Sequence, residues 1–199
     1  MSPKRALRAA LRRRRAQLAR DVDHVAAGEA IARAVLGLVP HPCRVAAYES
    51  LPDEPPTGPL IAALLRSGHE VIVPITLEDF SLEWTYAVDG TIGDAATVTR
   101  RPLAQGQHAL GPDALAGCDL IVTPGLSVDR HGTRLGQGGG CYDRALAHRN
   151  PTTPVFTLIH EGEFSETDLP YEEHDQRVDG YVTTSGRVVR LRDPSSSSV

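Results

Sequence analysis

Short apolar segments alternate with longer amphipathic segments along most of the chain. The apolar segments are five or six residues long and many are rich in valine and isoleucine, which is typical of strands buried on both faces. We predict six strands, at residues 44–48, 70–74, 82–86, 119–124, 154–159 and 180–184. We predict four helices, at residues 3–20, 22–38, 59–68 and from Tyr142 to just before Pro151.

This alternation predicts an α/β fold. We expect a single-domain, three-layer sandwich with a mostly parallel, Rossmann-like sheet and an additional basic helix at the N-terminus. Ligands of such sheets bind beyond the carboxyl ends of the strands. The functional loops are therefore expected to follow Tyr48, Pro74, Val122 and Ile159.

Local signals set the predicted helix ends. Ser2 and Pro3 suit the N-cap and first turn of the first helix, and Thr57 is a candidate N-cap for the third. Pro40 and Gly68 follow the second and third helices, as helix terminators commonly do.

Length and composition fit one soluble domain. The 199 residues are 41% hydrophobic and contain no apolar run long enough to span a membrane. We assign residues 1–192 to the α/β domain and expect the serine-rich tail, 193–199, to be disordered. The three cysteines are widely spaced, which argues against a disulfide framework or a zinc site and favours a reducing cytoplasm.

Charge is concentrated at the N-terminus. Residues 1–20 contain eight lysines and arginines and no acidic residue, although the whole chain has a net charge of −4. Such a basic segment indicates an anionic ligand nearby, or packing of the segment on the acidic remainder. The RRRR run at 12–15 lacks any recognised nucleic-acid motif, so we expect Arg12, Arg13 and Arg15 to be solvated, with one or two reaching the acidic body.

Residues 134–146 read RLGQGGGCYDRAL and follow the fourth predicted strand. Four glycines between Arg134 and Asp143 leave the backbone accessible and allow positive φ, so that successive N–H groups can face an anion. The spacing matches neither the dinucleotide nor the P-loop fingerprint. Two interpretations remain at this point, a phosphate site or a tight strand–helix connection without a ligand. Cys141 within this loop is more typical of a packing residue than of a nucleophile.

Two carboxylates are candidate ligands for Mg²⁺. Asp143 either complements the start of the following helix or holds the metal beside a polyphosphate. A second carboxylate would have to come from another loop, and Asp175 in EEHDQRVD is the candidate. His160 and His174 lie in loops on the same side but lack zinc-type spacing, so we interpret them as supporting or solvated residues.

Four segments together resemble a known family. KRALR, YESLPDEPPT, IVTPGLSVDRHGTRLGQGGGCYDRAL and LPYEEHDQRVDGYVTT occur in the order and spacing of the 5-formyltetrahydrofolate cyclo-ligase family, also called methenyltetrahydrofolate synthetase. The resemblance implies an enzyme that uses ATP and Mg²⁺ to convert 5-formyltetrahydrofolate into 5,10-methenyltetrahydrofolate, with release of ADP and phosphate. In that reaction the formyl oxygen attacks the γ-phosphorus, and N10 then attacks the one-carbon centre as phosphate leaves.

The resemblance also implies roles for individual residues. Arg134, Tyr142 and Asp143 are expected to be catalytic, and Asp143 and Asp175 to hold Mg²⁺. The residues expected to bind ATP are Lys4, Arg5, Arg8, Arg134, Leu135, Gly136, Gln137, Gly138, Gly139, Gly140 and Tyr142. The residues expected to bind the folate are Tyr48, Glu54, Gln137, Gly138 and Gly139.

Some positions depart from the family pattern. Gln137 stands where an aromatic or basic residue is usual, Cys141 where a second tyrosine is common, and Val128 where phenylalanine is common. Fewer aromatic side chains would weaken stacking on a pterin, and Trp84 or Tyr86 is the candidate to compensate.

Two functional hypotheses follow. The first is a cytoplasmic, monomeric, ATP-dependent cyclo-ligase that acts on small molecules, with no nucleic-acid or membrane partner. The alternative is an ATP-binding protein of the same fold without folate turnover. The phosphate-binding and metal-binding residues are retained together, which favours the enzyme.

Overall fold

The computed structural model describes residues 3–39, 42–88 and 108–191. Ser2, Pro40 and the serine-rich tail, on which three of the predictions fall, lie outside these ranges. The helices are α1 (Pro3–Leu18), α2 (His24–Leu36), α3 (Gly58–Arg66) and α4 (Cys141–Leu146). The strands are β1 (Arg44–Ala46), β2 (Glu70–Thr76), β3 (Leu82–Tyr86), β4 (Leu120–Pro124), β5 (Ser127–Asp129), β6 (Arg134–Leu135), β7 (Val155–Ile159), β8 (Phe164–Ser165), β9 (Gly180–Thr183) and β10 (Val188–Arg190).

A seven-stranded central sheet has the order β10-β9-β7-β4-β1-β2-β3. The five inner strands run parallel, and the edge strands β3 and β10 are antiparallel to their neighbours. The predicted mixed α/β fold with a mostly parallel sheet is therefore confirmed. Because β1 pairs with β2 on one side and β4 on the other, the strand order reverses between β1 and β4. Ligands of open α/β sheets bind at such a reversal.

Successive residues of each strand face opposite layers of the core. Val45 and Ala47 pack with α2 and α3 on one face, whereas Ala46 between them packs with α4 on the other. This alternation follows from the two-residue period of a strand and produces the predicted three layers. A 3-10 turn over Pro112–Gly117 also covers the second face.

A second sheet, of order β6-β5-β8, was not predicted from the sequence. Its strands are two or three residues long, too short to show a reliable hydrophobic period. Asp129 at the end of β5 is fully buried, and its carboxylate accepts hydrogen bonds from the amides of His131, Thr133 and Leu169. The second sheet therefore holds the start of the glycine-rich segment in a fixed position.

Helix ends agree only in part with the sequence signals. Thr57 occupies the N-cap of α3 but makes no capping hydrogen bond, because its hydroxyl accepts one from the Ser50 amide. The N-cap of α2 is Asp23, whose carboxylate accepts hydrogen bonds from Val25 and Ala26. Helix α4 ends several residues earlier than predicted, at Leu146. Among the described residues, no helix combines the length and apolar character needed to cross a bilayer.

Candidate active site

Two loops flank the reversal of strand order. One follows β1 and contains Tyr48 and Glu54, and the other follows β4 and leads through β5 and β6 to the glycine-rich segment. Both leave the carboxyl ends of parallel strands, where the sequence predicted the functional loops. The topology therefore brings together two motifs that are about 80 residues apart in the chain.

The glycine-rich segment, residues 136–140, forms an open backbone surface. Gly138 and Gly140 have φ of 109° and 66°, conformations that side chains disfavour. Within residues 3–39, 42–88 and 108–191, no backbone amide of residues 136–141 donates a hydrogen bond. Unpaired amides in a loop of alternating backbone conformation suit an oxyanion.

Arg134 and Asp143 form an ion pair beside this segment. Arg134 is 6% exposed, and its Nη2 lies 2.9 Å from Asp143 Oδ1. Its guanidinium also donates to the Pro124 carbonyl at 3.3 Å and lies 5.7 Å from the centre of the Tyr142 ring. Three contacts hold the Arg134 side chain, while its Nε has no partner among the described residues.

Asp143 also contacts the loop that precedes β9. Its Oδ1 accepts a hydrogen bond of 3.2 Å from the Gln176 amide, which places the neighbouring Asp175 in the same region. Both described hydrogen bonds of Asp143 use Oδ1, and both of Asp175 use Oδ2. Each carboxylate therefore keeps a second oxygen without a described hydrogen bond.

Lys4 at the start of α1 is held by that loop. Its Nζ lies 2.8 Å from Asp175 Oδ2 and 3.3 Å from Glu172 Oε2. Partial burial acts to raise the pKa of Asp175, but the hydrogen bonds from Lys4 and the Glu172 amide outweigh it and lower the pKa overall. Asp175 is thus an ionised carboxylate next to the amino group of Lys4.

Helix α1 presents a row of basic side chains to the glycine-rich segment. Arg8 Nε donates to the Gly136 carbonyl at 3.1 Å. Arg12, four residues later and therefore on the same face, donates to the side chain and the carbonyl of Gln137 at 2.7 and 2.6 Å. The predicted contact Arg5 is exposed.

Arg15 is not solvated but is an arginine of the run that reaches the acidic body, as was expected of one or two of them. Arg15 is 2% exposed and forms a two-pronged ion pair with Glu163 at 2.8 and 2.6 Å, and it also donates to the Gly125 carbonyl. Sequence periodicity could not separate it from its neighbours, because Arg13 and Arg14 are exposed and have the same chemistry. The sequence did not identify which arginines would make contacts, or that Gln137 and Glu163 would be their partners. Nothing in the sequence around Glu163 indicated that it would be the partner of Arg15.

A second, less polar part of the site contains Tyr48, Glu54 and Tyr142. Glu54 is 6% exposed and accepts a hydrogen bond from the Leu51 amide at 3.0 Å. Burial raises its pKa, despite the opposing effects of the Leu51 amide and Arg15. The pKa values of Tyr48 and Tyr142 are raised by burial first and by the Glu54 charge second.

The hydroxyls of Tyr48 and Tyr142 are buried without a hydrogen-bond partner among the described residues. Buried hydroxyls normally have partners, because desolvation without a hydrogen bond costs free energy. Two such groups near a carboxyl group therefore suit a polar ligand that supplies the missing partners. Tyr142 also contacts Arg134, so this buried cluster of Tyr48, Glu54 and Tyr142 adjoins the glycine-rich segment.

The remaining candidates do not lie at the open surface. Leu135 is 1% exposed, and its carbonyl accepts a hydrogen bond from the Leu126 amide. Val128 is fully buried in the core, so its departure from the family pattern is a packing difference. Trp84 is also fully buried, and Tyr86 contacts Arg44. Neither aromatic residue compensates at the site as expected.

The histidines differ in environment. His160 is buried, and its Nε2 lies 2.9 Å from the Asp53 carbonyl. Burial lowers its pKa, which favours the neutral ring. His174 is exposed and forms a cluster with Glu172 and Asp175, in which the candidate ligand atoms lie within 4.8 Å of one another. Cys141, the first residue of α4, packs at the edge of the core, and all three cysteines are free.

Comparisons with known proteins agree with this geometry. The model of the 5-formyltetrahydrofolate cyclo-ligase family matches residues 1–184. A 5-formyltetrahydrofolate cyclo-ligase of Mycolicibacterium smegmatis is 32% identical over 153 residues, covering 74% of this chain and 77% of the relative. A protein of the same name from Escherichia coli K12 is 33% identical over 147 residues, covering 71% and 78%.

Two solved structures share the fold. The NMR structure of Aquifex aeolicus 5,10-methenyltetrahydrofolate synthetase has a TM-score of 0.69 and 24% identity, with 94% of both chains covered. The synthetase of Mycoplasma pneumoniae has a TM-score of 0.66 and 16% identity, covering 94% of this chain and all of that one. The fold, and above all the match over residues 1–184 and the identity to the curated relatives, show that this chain belongs to the 5-formyltetrahydrofolate cyclo-ligase family.

Proposed function

We propose that this protein catalyses the ATP-dependent conversion of 5-formyltetrahydrofolate to 5,10-methenyltetrahydrofolate, with release of ADP and phosphate. One observation carries the proposal beyond family membership. The Arg134–Asp143 pair at the glycine-rich segment and the buried cluster of Tyr48 and Glu54 meet at Tyr142. A reaction that phosphorylates one substrate with another needs the two binding sites to adjoin in this way.

The chemistry requires activation of an amide-like oxygen. The formyl oxygen attacks the γ-phosphorus and displaces ADP, which turns that oxygen into a phosphate leaving group. N10 then attacks the one-carbon centre, the C–O bond breaks, and phosphate departs with the electron pair. N10 loses its proton readily once it is bonded to a cationic carbon, so no dedicated general base is needed.

The basic side chains stabilise the transferring phosphoryl group. In our proposal Lys4, Arg8 and Arg134, with the amides of the glycine-rich segment, contact the phosphates of ATP. Charge compensation by such preorganised groups is the main catalytic contribution in phosphoryl transfer. Tyr48 and Glu54 contact the folate, and Tyr142 lines the boundary between the two substrates.

Asp143 and Asp175 are the proposed Mg²⁺ ligands. Carboxylate oxygens are the protein ligands that Mg²⁺ prefers, and each of these residues keeps one oxygen without a described hydrogen bond. Bound Mg²⁺ would neutralise negative charge on the phosphates. We further propose that the enzyme is a cytoplasmic monomer.

The test is product formation with the purified protein. Near-ultraviolet absorbance of the methenyl product is followed after mixing with 5-formyltetrahydrofolate, ATP and Mg²⁺. We expect a rise that requires ATP, that is lost in Asp143→Ala and that persists in Glu29→Ala, a control in an exposed helical ion pair. A flat trace with intact ATP binding would instead support the nucleotide-binding alternative.

A further inference from the structure

The turn between β2 and β3 lies at the same end of the sheet as the glycine-rich segment. It spans residues 77–81 and is closed by hydrogen bonds from the Leu77 amide to the Ser81 carbonyl and from the Phe80 amide to the Leu77 carbonyl, at 2.9 and 3.1 Å. The Asp79 carboxylate accepts a further bond from the Ser81 amide at 2.9 Å. The turn is therefore well ordered by its own hydrogen bonds.

Phe80 in this turn has an unusual conformation and an unusual exposure. Its φ is +64°, and among the described residues it is the one non-glycine residue with positive φ. This conformation is strained for an aromatic residue, and glycine or asparagine would adopt it more easily. The side chain is nevertheless 57% exposed, so burial does not repay the strain. A three-residue hairpin loop requires this conformation at its last position, where glycine is usual, so the turn explains the backbone but not the choice of an exposed phenylalanine.

Phe80 is tied to the glycine-rich segment at two points. Arg144 Nη2 donates to the Phe80 carbonyl at 2.7 Å, while Arg144 Nη1 lies 2.9 Å from where a Cβ on Gly140 would be. A Cβ on Gly139 would in turn lie 3.8 Å from Phe80 Cδ1. The ring of Phe80 therefore lies beside the exposed glycines, with Arg144 connecting the two segments.

Among the described residues next to the glycine-rich segment, Tyr142 is half-buried, and the exposed Tyr171 lies in the loop before β9 with Arg177 over its ring. Gln137 and Cys141 occupy loop positions that carry no ring, Trp84 is fully buried, and Tyr86 contacts Arg44. The hydroxyl ends of Tyr48 and Tyr142 are buried. The exposed ring of Phe80 beside the glycine-rich segment supplies the aromatic surface that Gln137 and Cys141 lack.

We propose that the face of Phe80 stacks on a heteroaromatic ring of a substrate bound at the glycine-rich segment. Adenine and the pterin share this chemistry, and both belong to the substrates of the proposed function, on which this inference rests. Stacking of aromatic rings contributes a few-fold to about tenfold in affinity. Phe80 is thus a binding residue that helps to set substrate affinity.

The test compares Phe80→Gly, Phe80→Trp and Tyr86→Ala by calorimetric titration with ATP and, separately, with 5-formyltetrahydrofolate. We expect Phe80→Gly to weaken binding of one of the two by about three- to tenfold and Phe80→Trp to retain it. The control Tyr86→Ala removes an exposed ring away from the site and should leave both affinities unchanged. The substrate that is affected identifies whether adenine or the pterin is the stacked ring.

Thermal unfolding separates binding from structure. Glycine adopts positive φ without strain, so the unfolding midpoint of Phe80→Gly should equal or exceed that of the wild type while affinity falls. Wild-type affinity for both ligands in Phe80→Gly, or equal losses in Phe80→Gly and Phe80→Trp, would overturn the role of Phe80 and leave the proposed function intact. A wild-type protein that binds neither ligand would overturn both.

Discussion

The amino group of Lys4 lies 2.8 Å from Asp175 although 171 residues separate them in the chain. This ion pair joins the start of α1 to the loop before β9. The two groups are also a proposed phosphate contact and a proposed metal ligand. In this structure the two groups neutralise each other, so the proposed roles require that MgATP binding exchange their partners.

Replacement of Lys4 tests this arrangement. We expect Lys4→Met to weaken ATP binding by about tenfold, the effect of losing roughly 1.4 kcal/mol of interaction. Arg13→Met, at an exposed position of the same helix, is the matched control and should leave affinity unchanged. Calorimetric titration with MgATP measures both variants. Equal affinities of Lys4→Met and the wild type for MgATP would show that Lys4 does not contact ATP.

Glu54 should make stability depend on pH. Its folded-state pKa is raised by burial, so the neutral form is favoured in the folded protein. The contribution of Glu54 to stability is therefore greatest below its unfolded pKa of about 4.3 and declines as pH rises through the folded pKa. Glu54→Gln remains neutral and should be more stable than the wild type at neutral pH, with the difference disappearing toward about pH 4.

Urea unfolding of both proteins across this pH range measures the effect. The same variant should bind 5-formyltetrahydrofolate less tightly, because it lacks the carboxyl group that is proposed to contact the folate. Parallel pH profiles for Glu54→Gln and the wild type would show that Glu54 does not titrate differently in the folded state.

The buried pair of Arg15 and Glu163 should be costly to break. Arg15→Met leaves Glu163 charged and buried without its partner, so we expect a loss of about 3–5 kcal/mol in unfolding free energy. Arg13→Met should change stability by less than about 0.5 kcal/mol. Adding Glu163→Gln to Arg15→Met should restore part of the loss, because the uncompensated charge is removed and an acceptor for the His160 amide remains. Chemical denaturation measures the unfolding free energy of each variant. Equal losses in Arg15→Met and Arg13→Met would contradict a costly buried ion pair.

Arg12 and Gln137 should act together. The two hydrogen bonds of Arg12 hold the glycine-rich segment against α1. We expect Arg12→Met and Gln137→Ala each to weaken ATP binding several-fold, and the double variant to lose less than the sum, since the residues share one interaction. A double-mutant cycle with ATP titration measures the coupling. Strict additivity would mean that Arg12 and Gln137 act independently.

The layers of the fold were predictable because the inner strands are long, apolar and buried on both faces. The six predicted strands all exist, and only their limits changed. The second sheet and β10 were missed because two- or three-residue strands carry no measurable period. The order of the strands could not be predicted from the sequence either, since it depends on pairings between residues that are far apart in the chain.

The site was predictable where local chemistry was distinctive. The glycines between Arg134 and Asp143 left two interpretations open, a phosphate site or a tight connection without a ligand, and the resemblance to the family favoured the phosphate site. The contact of Asp143 with the loop of Asp175 was a hypothesis that only tertiary structure could support, because spacing says nothing about which loops meet. Arg15 and Phe80 could not be singled out, since their burial and backbone conformation are tertiary properties.

The spacing of the basic residues along helix α1 is fixed by their partners at both ends of the helix. Arg15 fixes its inner end in the core, while Lys4, Arg8 and Arg12 meet successive partners along the same edge. Each inserted or deleted residue turns a helix by about 100° and shifts it by about 1.5 Å. A single-residue insertion between Arg12 and Arg15 would therefore rotate the three outer cations away from their partners with the composition of the helix almost unchanged. The contacts of helix α1 therefore depend on the spacing of its charged residues as much as on their number.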